Sequence, residues 1–323
     1  MPARRHLLAL PALLAAPATL RAQAAWPSRP VSMVVPWAPG GGADTVTRIF
    51  AQGLERELGQ PVNVVNRTGG GGLTGHSAIA TAAPDGYTIG TGTSEFANYR
   101  ALGLSELGPD SFDLLSRLAT LPAGVTVQGQ APWRDFAGFS AALREARRGQ
   151  ITGSGVGPGG AWHLAAAGMS RALGLEADRI RWIPSAGGAP ALQDLVAGGI
   201  GVFTGSPVEA LSLAAAGRVR VLAVMAEVRM AALPEVPTLR EAGLDWAYEN
   251  WFALIAPRGI PAPVRAALLA GAVRAHARPD VQEPLKARGV QPAWDGPEAL
   301  PAFVARFAET SAALLRELGL ARA

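Results

Sequence analysis

Val31–Thr47, VSMVVPWAPGGGADTVT, limits the folds open to this chain more than any other stretch. Val31 to Val35 is a short apolar, β-branched run of the kind buried in a parallel sheet. Pro36 to Gly42 ends it, because two prolines and three consecutive glycines cannot continue a strand and let the backbone approach a neighbour closely. From Ala43 the apolar residues Val46, Ile49, Phe50 and Leu54 recur at helical spacing, with Asp44 and Thr45 in the first turn. A helix start leaves N–H groups without partners and carries about half a positive charge, so strand, glycine loop and helix together can hold an anion. One such turn serves equally well as a tight connection with no ligand.

The unit recurs. Pro61 to Asn66 is followed by Arg67 to Gly72 and a helix over 73–83; Tyr87 to Gly92 leads through Thr93-Ser94 to Glu95. After an amphipathic helix over 136–148, Ile151 to Gly153 runs into the loop Ser154 to Gly160 and a helix over 161–173. Ile180 to Ile183 precedes Ser185 to Gly188 and a helix over 190–197; Ile200 to Phe203 precedes Thr204-Gly205-Ser206 and a helix beginning near Pro207. Strands are expected at 114–128, 219–225 and 251–256. Helices are expected at about 262–277, 280–288 and 297–318, with Pro292 to Pro297 as a separator. Two similar units, 31–95 and 151–216, predict two α/β lobes with a cleft beyond the strand ends, where ligands of open α/β sheets bind.

The N-terminus reads as a secretory signal peptide over 1–24. Arg4 and Arg5 precede an apolar run from Leu7 to Leu20, and Ala22-Gln23-Ala24 is a small-x-small cleavage site. Pro11 and Pro17 interrupt the run, which is too short for a membrane anchor. Without the leader, 26 basic and 25 acidic residues remain, a net charge of +1. The basic isoelectric point therefore carries no case for nucleic acid. Charged residues make up 17% of the chain, as in a compact globular protein. The absence of cysteine removes disulfides and thiolate chemistry. His6, His76, His163 and His276 lack metal-ligand spacing, and no cofactor is expected. Gly155 to Gly160 fits G-x-G-x-x-G, but Ile183 is followed by Pro184-Ser185 where a dinucleotide site needs an acid. Ser154 lacks the G-x-S-x-G elbow. No catalytic residue is assigned.

VVPWAPGGGAD, QPVNVVNRTGGGG, APDGYTIGTGT, GGAPALQDLVAGG and LPEVPTLREAG, collinear over about 27–318, resemble the receptors of tripartite tricarboxylate transporters, also called Bug proteins. The resemblance implies an α/β two-lobed periplasmic-binding-protein (Venus-flytrap) fold, with parallel-type sheets flanked by helices. Lobe 1 would comprise 25–122 and 227–323, and lobe 2 would comprise 123–226. It implies a periplasmic monomer that captures a small carboxylate, an aromatic or amino acid among the candidates, for a two-component integral membrane permease. The positions matching the family's carboxylate loops are Pro39, Gly40, Gly41, Gly42, Ala43 and Asp44, and Ser154, Gly159, Gly160, Trp162 and His163. Gly70, Thr93, Ser94, Glu95, Ser185 and Gly187 flank the same cleft. Pro184 to Gly187 stands where many members have Tyr-Lys-Gly, so an aromatic wall and a cation are missing there.

Several of these residues have two readings. Trp37 and Trp162 either wall the cleft or pack loop on helix. Glu95 either meets a ligand ammonium or is an ordinary first-turn acid. Asp44 reads as a loop-fixing residue, and His163 as either polarising the site or structural. Two other classes fit the same loops: a soluble α/β hydrolase or transferase using them as an oxyanion site, and a sensor lobe of a two-component kinase. A longer side chain at Gly41 or Gly159 is expected to abolish binding with the fold intact.

Overall fold

A computed structural model describes residues 26–322; the expected signal peptide lies outside the described residues. The chain forms two mixed sheets flanked by helices. The first is built from β1 (Val31–Val35), β2 (Val62–Asn66), β3 (Thr88–Thr93), β4 (Phe112–Pro122), β10 (Glu249–Pro257) and β11 (Gln291–Asp295), in the order β11-β4-β10-β3-β1-β2. The second contains β5 (Gly124–Gln128), β6 (Thr152–Ser154), β7 (Arg181–Trp182), β8 (Val202–Phe203) and β9 (Val219–Val224), in the order β7-β6-β8-β5-β9. The glycine-punctuated strands pair in parallel, β2 and β3 with β1 and β7 and β8 with β6. The remaining pairings are antiparallel: β10 with β3 and β4, β11 with β4, and β5 with β8 and β9.

The β-branched run at β1 behaves as a buried strand should, with Val31, Met33 and Val35 fully enclosed. Beyond the glycine loop, α1 (Gly42–Leu58) buries Val46, Phe50 and Leu54 and ends at Gly59, whose left-handed φ of 66° lets its N–H bond Glu55 C=O. Gly75, in α2 (Leu73–Ala80), lies so close to the loop after β1 that a Cβ there would be 2.5 Å from Pro36 Cα. Glycine thus allows two backbones to meet directly and seats the β1–α1 loop against α2.

The chain enters the second sheet through Ala123, between β4 and β5, and leaves it between β9 and β10. Main-chain bonds join the crossings: Ala123 N–H to Tyr248 C=O at 3.0 Å, Met225 N–H to Ala123 C=O at 2.8 Å, and Tyr248 N–H to Met225 C=O at 2.8 Å. In the second sheet, α3 (Phe136–Glu145) is capped by Asp135, which accepts the Gly138 N–H at 2.8 Å. It is followed by α4 (Ala161–Ala172), α5 (Gly188–Ala197) and α6 (Leu211–Ala215). α7 (Ala262–Ala277), α8 (Pro279–Ala287) and α9 (Leu300–Glu317) cover the first sheet. The last turn of α9 reaches α4, where Glu317 pairs with Arg171 at 2.8 Å.

One expectation changes. The proline-containing stretch read as a separator includes β11, a strand at the sheet edge whose register on β4 slips between Pro292 and Asp295. An edge strand tolerates proline because one side of its ladder is unused.

Candidate functional site

A cleft of about 650 Å³, counting its open mouth, lies between the two sheets at the strand ends, in the size range of small-molecule sites. Trp37, Ala38, Pro39, Gly41, Gly42 and Ala43, from the β1–α1 loop, form one wall. Ala186 to Pro190, at the start of α5, form the facing wall; Glu95, Leu121, Val156, Trp162, Glu209, Asn250 and Phe252 complete it. Both helix starts present unspent donors. Thr45 N–H makes the first bond of α1, to Gly41 C=O, which leaves the N–H groups of Gly42, Ala43 and Asp44 without a helical acceptor. Ala191 N–H bonds Gly187 C=O, leaving those of Gly188 and Ala189.

Asp44 holds this loop rather than facing the cleft. It is 4% exposed; its carboxylate accepts the Gly40 N–H at 2.9 Å, Asn66 Nδ2 at 2.8 Å and Arg48 Nε at 2.9 Å. Burial works to raise its pKa, but the bonds from Arg48, Gly40 and Asn66 outweigh it and leave the carboxyl below its ordinary value. Trp37 lines the cleft while its indole N–H donates to Thr93 Oγ1 at 3.2 Å.

The start of α4 is used differently. Glu95 reaches across from the first sheet; its Oε1 accepts the Ala161 N–H at 3.4 Å and its Oε2 the Thr93 hydroxyl at 2.6 Å. Burial pushes its pKa up, against the pull of these bonds. A side chain of the protein thus holds the Ala161 N–H, while the N–H groups of Trp162 and His163, which precede the first helical bond from Leu164 to Gly160, have no helical acceptor; the start of α5 also faces α1 across the cleft. Trp162 still lines the cleft, as does Gly187. Gly159 and Gly160 border a smaller adjoining cavity with Tyr99 and Leu102. A Cβ on Gly159 would meet Leu102 Cδ2 at 2.7 Å and Leu315 Cδ2 at 3.0 Å, so substitution there tests packing, whereas at Gly41 a Cβ meets only Ala38 O at 3.7 Å.

The remaining sequence candidates stand behind the walls. Ser94 Oγ donates to Asn250 Oδ1 at 2.7 Å. Ser185 Oγ donates to Gly187 C=O at 3.0 Å. Ser154 is fully buried and its hydroxyl has no partner. Gly70 opens a short 3-10 turn on the surface. Sequence reasoning missed Glu209, Asn250, Phe252 and Leu121. Glu209 carried one signal: it follows Pro207 in the first turn after the third glycine loop of its unit.

Two buried histidines brace the glycine loops. His76 Nε2 accepts the Thr93 N–H at 3.3 Å, which places the ring proton on Nδ1, 2.7 Å from the Tyr99 hydroxyl; that hydroxyl donates to Gly71 C=O at 3.1 Å. His163 Nδ1 accepts the Gly159 N–H at 2.9 Å, and its ring stacks on Trp182 at 4.7 Å. Burial holds the His76 pKa down to about 3 and that of His163 to about 4. Both values lie below that of an unfolded histidine, about 6.5, so each contributes stability in full above pH 6.5 and loses it as pH falls toward 4 and 3. In an NMR titration of the labelled protein, neither imidazole should charge between pH 8 and pH 5; a midpoint near 6.5 at either would contradict this bracing.

A two-sheet α/β molecule whose cleft is lined by helix starts has the fold of the two-lobed periplasmic binding proteins. The family model of the tripartite tricarboxylate transporter family receptor matches residues 46–320, and the chain belongs to that family. It is 36% identical over 306 residues to the UPF0065 protein in the tcbD-tcbE intergenic region of a Pseudomonas species, covering 92% of this chain and 89% of the relative. Among solved structures it resembles MatC from Rhodopseudomonas palustris with bound malate, at 30% identity, a TM-score of 0.79 and coverage of 90% of this chain and 100% of that one. It also resembles R. palustris Rpa4515 with adipate, at 27% identity, a TM-score of 0.82 and coverage of 92% and 99%. The family is one of transporter receptors, so the chain is a binding protein and not an enzyme. Among the described residues no helix is long and apolar enough to cross a membrane.

Proposed function

We propose that the chain is a periplasmic receptor that binds a small carboxylate in its cleft and hands it to a two-component membrane permease of the tripartite tricarboxylate type. One observation carries the binding half: the unspent main-chain donors of α1 and α5 border a single cavity that no lysine, arginine or histidine lines. A micromolar dissociation constant needs about 8 kcal/mol, and a hydrogen bond to a charged group contributes about 1.5–3 kcal/mol. Four such donors suffice before the costs of association are subtracted.

On this reading the main-chain N–H groups of Gly42, Ala43 and Asp44, in the loop that Gly41 opens, grip the carboxylate, those of Gly188 and Ala189 beside Gly187 meet it from the facing wall, and Trp37 and Trp162 enclose the rest. Asp44, Thr93, Ser94 and His163 hold the gripping loops in place. Residues 25–122 with 227–323 form one lobe and 123–226 the other, a division supported by which strands share a sheet. The malate and adipate bound by the two neighbours support a carboxylate ligand, and the family's role supports the permease. The receptor works as a monomer, and its leader directs it to the periplasm.

A thermal-shift screen of small mono- and dicarboxylates, aromatic acids and amino acids against the matching amides tests this. A binder at a hundred times its dissociation constant adds about 2.7 kcal/mol, or about 4 °C in Tm for a chain this long. At least one carboxylate should produce that shift and its amide none. A shift produced by amides alone would overturn the reading.

A further inference from the structure

Carboxylate capture leaves Glu209 unexplained. Its carboxyl fills the space that a Cβ on Gly188 would take, and Oε1 lies 3.7 Å from where a Cβ on Gly42 would stand. It therefore sits between the starts of α5 and α1, inside the cleft. Burial alone acts on its titration, with neither a hydrogen bond nor a cation to offset it, and pushes its pKa up to about 7. The other titratable group lining the cleft, Glu95, is already bonded to Thr93 and Ala161.

Asn250 supplies a second, independent pointer to a ligand. It is 7% exposed, and its Oδ1 accepts both the Ser94 hydroxyl at 2.7 Å and the Trp251 N–H at 3.0 Å. A main-chain N–H can only donate, so the amide orientation is fixed and Nδ2 is a donor with no protein acceptor, on a residue that lines the cavity. The cleft thus offers main-chain and amide donors together with a carboxyl that lacks a partner. A simple anion would add negative charge beside two acids with no cation among the lining residues, an arrangement a low-dielectric site penalises.

Given that the cleft takes a carboxylate, we infer that its ligand is a zwitterion: a cationic nitrogen bonds Glu209 while the amides at the start of α1 hold the acid group. Glu209 stands within a side chain's length of Gly42, so the two charges are close together on the ligand, as in an α-amino acid. The remainder of that molecule lies against the apolar surfaces of Trp37, Leu121 and Phe252.

Calorimetric titration of the mature protein at pH 8 with pairs that differ only in the amine provides the test: phenylalanine against 3-phenylpropionate, leucine against 4-methylpentanoate, aspartate against succinate. In at least one pair the amine-bearing acid should bind about 10–100-fold tighter, the usual range for a charge-assisted bond. Glu209→Gln should bring that ratio close to one. In the unaltered protein the ratio should also shrink as pH falls from 8 to 6 and Glu209 takes up a proton, so the inference remains testable if the variant fails to fold. Equal binding within every pair, or a Gln variant that tightens both members alike, would overturn the zwitterion and leave carboxylate capture standing. Binding of the corresponding amides and of no acid would instead overturn the carboxylate reading itself.

Discussion

Gly41→Val should leave the molecule folded and weaken ligand binding at least about 100-fold. Gly41 caps α1 with φ −79° and ψ 175°, an extended conformation open to any L residue. A Cβ there approaches only Ala38 O, at 3.7 Å, so the added methyl groups project into the cleft. They cover the N–H groups of Gly42 and Ala43, and losing two hydrogen bonds to a carboxylate costs about 3–6 kcal/mol. Titration with a carboxylate that binds the unaltered protein measures the loss, and the melting temperature checks the fold. Unchanged affinity with an unchanged melting temperature would remove the β1–α1 loop from the binding site. Gly159 is the paired control, because a side chain there strikes Leu102 and Leu315 and should lower stability instead.

Trp251→Ala should cost about 3–5 kcal/mol of stability, the usual range for truncating a buried aromatic residue. Trp251 is fully enclosed on β10, the strand between β3 and β4. Its ring meets Phe96 at 5.4 Å, Phe303 at 5.7 Å and Phe307 at 5.6 Å, all nearly edge-on. These contacts join the segment after β3 to α9 across the sheet, so the cavity left by alanine would be lined on several sides by rings that cannot collapse into it. Urea unfolding followed by fluorescence or circular dichroism gives the difference. A loss below about 1 kcal/mol would mean that α9 is not held to the sheet through this cluster.

The sequence revealed those parts of the fold that depend on neighbouring residues. Gly and Pro punctuation located the loops after Val35, Asn66 and Ser154, because a chain that must break a strand and start a helix within a few residues has little choice of residue. It could not reveal that Glu249–Pro257 inserts antiparallel between β3 and β4, a pairing that joins positions more than a hundred residues apart. β11 stayed hidden because proline in isolation argues against a strand, and only its place at the edge excuses it. In the cleft, the β1–α1 wall was legible as a strand, loop and helix in a row. The facing wall was legible in part, since Gly187 was placed beside the cleft. Both α4 and α5 follow a glycine N-cap, and only the fold brings Glu95 from the other sheet to hold the Ala161 N–H of α4. Glu209 looked like any acid in a first helical turn until the fold set it between two such turns.

The linked crossings at Ala123, Met225 and Tyr248 restrict how the halves can swing. Two peptide segments stitched side by side behave like a strap hinge: they bend readily about the line joining them and resist shear along it. If the halves close on a guest, bending about this line is the motion the bonds oppose least. Entry and exit rates should respond together to anything that stiffens the strap, while the equilibrium between free and held guest shifts far less.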